Sequence, residues 1–170
     1  FSNGAGKSLW SGQASNTSSK RSALQFDVSS IPNGATITGV SLALQVDRMP
    51  TGQPSPTPVD LHRLLKDWGE EASDAAACGG CDEGGRGNQA FTNDMTLTHN
   101  FYPSSLWANV GGDFAASSAT AQVPVPNQSV SWSSAGMIAD VQAWVDGASQ
   151  NYGWLLVGQT GAGITARRYV

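Results

Sequence analysis

The sequence predicts an all-β fold, a jelly-roll-like β-sandwich with one short helix at about residues 134–146. Three observations predict it. Apolar and polar residues alternate in several short segments, the mark of strands with one buried face. Glycine and proline, 20 and 8 of the 170 residues, punctuate the chain between those segments. One stretch alone carries a helical stripe. Many short strands with such turns make a sandwich or a barrel. The length fits a single domain, residues 1–170, large enough to bury a core.

The elements follow in chain order. Residues 20–28, KRSALQFDV, alternate Leu24, Phe26 and Val28 with Gln25 and Asp27, and a turn at SSIPNGA follows. Residues 36–46, TITGVSLALQV, give the clearest period of two, with Val40, Leu42, Leu44 and Val46 in register. The four prolines of residues 48–58 form an exposed loop, and VDLHRLLKDW is the next strand, with Val59, Leu61 and Arg63 on one face and His62 and Leu64 on the other. Residues 69–94 have no period and read as a long loop, a feature that tends to be functional or stapled. Short strands follow at about 95–101, 119–125 and 129–132. In SSAGMIADVQAWVDG, Ser133 or Ser134 caps a helix, Met137, Val141, Trp144 and Val145 form its apolar stripe, and Gly147 stops it. GWLLVGQ and GITARRYV close the fold as two strands joined by Gly-Ala-Gly.

Composition excludes some partners. Only 13% of residues are charged, the net charge is −4 and the pI about 4.9, so no basic stripe is available for nucleic acid. No apolar run approaches the roughly 20 residues of a membrane-spanning helix. Hydroxyls and amides replace the missing charges, which suits a β-rich extracellular or cell-surface protein. The chain opens at Phe1 rather than methionine, which predicts removal of an upstream segment.

The segments SNGAG, RSALQFDVSSIPNGATITGVSLAL, VDLHRLLKDWGEEASDA, WANVGGDF, MIADVQAWVDGASQNYGWLLVGQ and TARRYV together resemble the DNRLRE-type domain. That family comprises secreted bacterial and archaeal β-sandwich modules related to alginate-binding carbohydrate-binding modules. The resemblance covers nearly the whole chain and implies a jelly-roll sandwich, export and no catalytic centre. Two features depart from the family pattern. One strand that usually precedes SNGAG, and a polar tail after TARRY, are missing; and the Gly/Glu-rich loop here holds Cys-Gly-Gly-Cys.

Cys78 and Cys81 stand in a glycine-rich loop among acids, without the helix N-terminus that a redox Cys-x-x-Cys uses. Zinc would need two more ligands, and His62 and His99 are the only histidines. For an exported protein the plain reading is a disulfide staple between the two cysteines, with metal and redox roles as alternatives. The acids Glu70, Glu71, Asp74, Asp82 and Glu83 crowd the same loop, and oxygen ligands of this kind suit a structural Ca²⁺. Asp113 and Asp140 are further candidates, and the alternative is a solvated acidic loop. No nucleophile elbow or paired carboxylates at a defined spacing point to an enzyme, and His62 reads as a packed residue.

Of the six tryptophans, Trp144 and Trp154 sit in apolar stripes and belong to the core, whereas Trp10 and Trp107 lie in Gly/Ser-rich stretches and are candidates for exposure or an interface. Asn16 and Asn127 begin glycosylation sequons, meaningful only where the producing cell glycosylates.

Two functions are expected from this pattern. The first is a non-catalytic extracellular structural subunit that self-associates, into a filament or surface layer, by exchanging a strand at an open sheet edge. Its partners are copies of itself. The alternative is a carbohydrate-binding module for an acidic polysaccharide, whose basic groove would draw on Lys20, Arg21, Arg63, Arg167 and Arg168.

Overall fold

The computed structural model of the chain describes residues 1–14, 18–53, 56–79, 85–161 and 163–170. Among them are ten strands: β1 (Leu9–Gln13), β2 (Ser19–Leu24), β3 (Leu42–Arg48), β4 (Thr57–Leu64), β5 (His99–Phe101), β6 (Ser105–Leu106), β7 (Phe114–Val123), β8 (Gln128–Trp132), β9 (Trp154–Gly158) and β10 (Arg167–Tyr169). One α-helix, α1 (Ala135–Val145), and a 3-10 turn, Ala75–Cys78, complete them. The fold is all-β and sandwich-like, as the alternation and turns predict.

Eight strands pair antiparallel in the order β7-β4-β9-β2-β1-β10-β3-β8. The sheet bends at the short β1–β2 pairing, Gly12 with Lys20 and Gln13 with Ser19, so that its two halves face each other and nearly close. Val46, Trp132 and Tyr169 from one half meet Val59, Leu61 and Leu156 from the other, all at 0 or 1% exposure. Each such side chain contributes roughly 1.5–3 kcal/mol by leaving water.

The helix lies where its pattern predicts. Ser134 caps it, its Oγ accepting the Met137 N–H at 3.0 Å, and Met137, Val141 and Trp144 are buried along one stripe. Gly136 sets how close it comes to the sheet: a Cβ there would stand 2.5 Å from the Ser118 carbonyl oxygen of β7. Gly147, just past the helix, takes φ 69°, the left-handed stop that glycine favours.

Several strand boundaries differ from the sequence pattern, and side-chain bonds explain two of them. Strand β2 ends at Leu24 instead of 28 because residues 25 and 26 leave the ladder for Asn151, which accepts from Gln25 Nε2 at 2.6 Å and donates to the Phe26 carbonyl at 2.8 Å. Strand β3 begins at Leu42, not 36, since the Gln142 side chain takes up Ala35 O and Ile37 N–H. In β4, Leu61 and Leu64 point to opposite faces of the sheet, as residues three apart do, and both are buried because each face is covered. The two closing strands, β9 and β10, belong to different halves and do not pair with each other.

A second, smaller core lies on the outer face of the β2-β9-β4-β7 half. Leu64, Leu155 and Trp107 are buried there, with Trp68, Met95 and Phe114 packed around them. The chain between β4 and β7 folds back over the sheet to supply Trp68, Met95 and Trp107. Strand β9 is thereby covered on both faces, which is why Trp154, Leu155 and Leu156 are buried in succession.

Candidate functional site

Where that returning chain meets the N-terminal residues and the outer face of β2, a cleft of about 820 Å³ opens. One wall is a lacing of residues 2–5 onto the long loop. Ser2 and Asn88 exchange main-chain bonds of 3.0 and 2.8 Å, Ala5 N–H reaches Ser73 O at 2.9 Å, and Asn3 Oδ1 accepts the Ala75 N–H at 2.8 Å. SNGAG thus serves to tie down the loop that carries the cysteines.

The floor is β1 and β2. Arg21 is held rigidly: its Nη1 donates to Gly111 O at 2.6 Å and its guanidinium lies over the Phe114 ring, 5.5 Å from the centroid. Lys20 beside it forms no ion pair among the described residues, and burial holds its ammonium below the ordinary lysine value. Arg86 enters from the loop and is exposed, and Glu70 is the one carboxylate among the described lining residues. Among the described lining residues cations therefore outnumber carboxylates, on a chain whose net charge is −4.

Aromatic rings complete it. Trp10, Trp68, Tyr102 and His99 line the space. Trp68 Nε1 is tied to Tyr152 O at 2.9 Å, and the His99 ring meets Tyr102 edge-on at 5.1 Å. Trp10 is half-buried: the Gly85 main chain packs on its ring, where a Cβ would come within 2.9 Å, and the Arg168 guanidinium lies 5.9 Å from its centroid.

Trp107, expected at the surface or an interface, lines the cleft but is only 6% exposed, because the returning chain folds it onto Leu155 and ties its Nε1 to Thr96 O. Other sequence-predicted site residues lie elsewhere. Arg167 has no exposed area; its guanidinium donates to Thr165 O, Ala166 O and Thr57 Oγ1 inside the fold and cannot reach a ligand. Arg168 is paired with Asp47 at 2.6 Å, and Arg63 with Asp140 at 3.0 Å. Of the five cations expected in a groove, the cleft takes Lys20 and Arg21, and Arg86 joins them.

The expected metal ligands do not converge. Asp74 caps the 3-10 turn, accepting the Ala76 N–H at 2.8 Å, and Glu70 faces the cleft. Desolvation pushes the Asp113 carboxyl up, yet the N–H groups of Ala108 and Asn109, the Asn109 amide and the Lys66 charge bring it below the ordinary value. Asp140 already accepts from Arg63, Trp154 Nε1 and Ser118 Oγ. Among the described residues no three His, Cys, Asp or Glu side chains gather around one point. Asp82, Glu83, Cys81 and Asn16 lie outside the described residues, so the Cys78–Cys81 pairing is not described; no free thiol occurs among those that are. Asn127 occupies the exposed turn between β7 and β8 with φ 66°. His62 is packed, its Nδ1 2.9 Å from Ala115 O and its ring 4.7 Å from Phe114.

Arg86, Trp68 and Tyr102 carry no mark in the sequence. They come together only because residues 66–113 fold back over the sheet. No family model, curated protein or solved structure matches the chain.

Proposed function

We propose that this protein is a non-catalytic extracellular binding module whose cleft receives an acidic polysaccharide. The observation that carries the reading is the cleft itself: among the described lining residues Lys20, Arg21 and Arg86 stand against the single carboxylate of Glu70, with Trp10, Trp68 and Tyr102 beside them. Sugar rings have apolar faces that pack on aromatic rings, and uronate or sulfate groups along a polymer need cations at intervals. Both requirements are met on one surface.

Affinity electrophoresis through gels holding a polyuronate or a neutral glucan tests this. The wild type should be retarded by the polyuronate alone, and retardation should weaken with added salt. Lys20→Gln combined with Arg86→Gln should weaken binding by about tenfold or more, equivalent to about 1.4 kcal/mol. Arg48→Gln, on β3 and outside the cleft, should leave it unchanged. Equal migration of wild type and double variant in polyuronate would reject the reading.

A second reading, self-association by strand addition, is favoured by one specific feature. The two edge strands, β7 and β8, read FAASSATAQV and QSVSW, with no charge and no proline to guard them. The start of α1 occupies part of β7, where Ser134 Oγ donates to Ser118 O, and β8 keeps the freer edge. Sedimentation of concentrated protein should then show assemblies that Ser131→Lys on β8 disperses. A wild type that stays monomeric at every concentration removes this reading.

A further inference from the structure

Behind the cleft, in the returning chain, two side-chain oxygens are left without partners. Asp94 has no exposed area and Asn100 only 2%. Asp94 Oδ2 accepts the Phe91 N–H at 2.6 Å, and Asn100 Nδ2 donates to Asp67 O at 3.0 Å. The remaining oxygens, Asp94 Oδ1 and Asn100 Oδ1, have no hydrogen-bond donor and no contact with solvent. Main-chain bonds lace the two residues into one small knot. Tyr102 N–H reaches Asp94 O at 2.9 Å, Met95 N–H reaches Gly69 O at 2.8 Å, and Gly69 N–H reaches Asn100 O at 3.0 Å.

A buried carboxylate that forms no ion pair is costly, and so is a buried amide oxygen without a donor. Asp94 forms no ion pair among the described residues. Two unsatisfied acceptors in one knot call for a donor or a cation; a buried water would satisfy both oxygens, but only a cation would also offset the unpaired carboxylate charge. We propose that Asp94 Oδ1 and Asn100 Oδ1 are ligands of a structural Ca²⁺ ion.

The chemistry selects the ion. Both donors are hard oxygens, which disfavours zinc with its preference for nitrogen and sulfur. Mg²⁺ keeps several of its waters, whereas neither oxygen here is in contact with solvent. Ca²⁺ accepts amide and main-chain oxygens beside a single carboxylate, at about 2.3–2.6 Å, with the remaining positions open to carbonyls of the same turns. One carboxylate makes a weak site, in the range of about 10⁻⁴–10⁻³ M usual for extracellular modules. The ion would pin residues 94–102, which bring Met95, Thr96, His99 and Tyr102 to the cleft. The site itself does not depend on what the cleft binds.

The test compares chelated protein with protein in about 5 mM Ca²⁺, above that affinity range. The wild-type midpoint of thermal unfolding should rise by about 3–5 °C with calcium. Tb³⁺ in place of Ca²⁺ should luminesce on tryptophan excitation, since Trp107 donates to the carbonyl of Thr96, two residues from Asp94. Asp94→Asn should abolish both responses, and Asp113→Asn should keep both. An unchanged wild-type midpoint in calcium and chelator overturns the proposal without any variant. So does an Asp94→Asn protein that still responds.

Discussion

Trp132→Ala is expected to lower the free energy of unfolding by about 4 kcal/mol, the middle of the range for a deleted buried aromatic. Trp132 has no exposed area, and its ring stands edge-on to Tyr169 with centroids 6.3 Å apart. It belongs to β8, the last strand of one half, yet its Nε1 donates at 2.9 Å to Val59 O on β4 of the other half. One side chain therefore fills the core and ties the halves near the seam where the sheet fails to close. Trp132→Phe keeps most of the volume and removes that bond, so its cost should be smaller, about 1–2 kcal/mol. Urea denaturation of both variants checks the pair. An alanine variant within about 1 kcal/mol of wild type would mean that the halves are held by other contacts, since deletion of a buried tryptophan ordinarily costs several times that.

The second large effect is one of pH. The Tyr169 hydroxyl is buried against Ser11 Oγ at 2.7 Å, and burial pushes the phenol up to about 12, with the Ser11 bond and the Arg167 charge pulling the other way. The unfolded chain releases this proton near pH 10, while the folded chain retains it. Between those values the folded state binds more protons, so stability must fall as pH rises. Tyr169 makes its full contribution below pH 10 and loses it by about pH 12, a change of roughly 2–3 kcal/mol at about 1.4 kcal/mol per unit. Denaturation midpoints followed from pH 9 to 12 should decline, and Tyr169→Phe, less stable at neutral pH, should decline less steeply. Parallel curves for the two proteins would contradict this account.

How much could be read in advance depended on whether an element's neighbours lie near it in sequence. The helix was legible almost to the residue because its cap, stripe and glycine stop are local, and Ser134, Met137, Val141, Trp144 and Gly147 each act as the pattern requires. The sandwich was legible from alternation. Strand β1 was not, because Ser11 and Gly12 are buried small residues with no alternation to announce them. Lys20 and Arg21 could be named as groove cations. Arg167 looked equally available, and only the packing of β10 between β1 and β3 buries it. Within 66–113, the stretch 69–94 showed no period, and the described residues of the segment pack over Leu64 and Leu155 with spacing set by the sheet beneath. The cleft's aromatic side and the orphan oxygens of Asp94 and Asn100 both arise in that segment, where no periodic pattern could have pointed.

The strand order has a consequence for the chain in time. Strand β1 lies in the middle of the sheet, with Leu9, Trp10 and Ser11 paired to Tyr169, Arg168 and Arg167. Nearly the whole chain must be synthesised before that ladder can form, and closing so long a loop is entropically demanding. Assembly that waits on such distant pairings is slow compared with helical proteins of similar size. Residues 9–13 would remain unpaired on one side until the last strand arrives, which keeps the chain open and threadable until then.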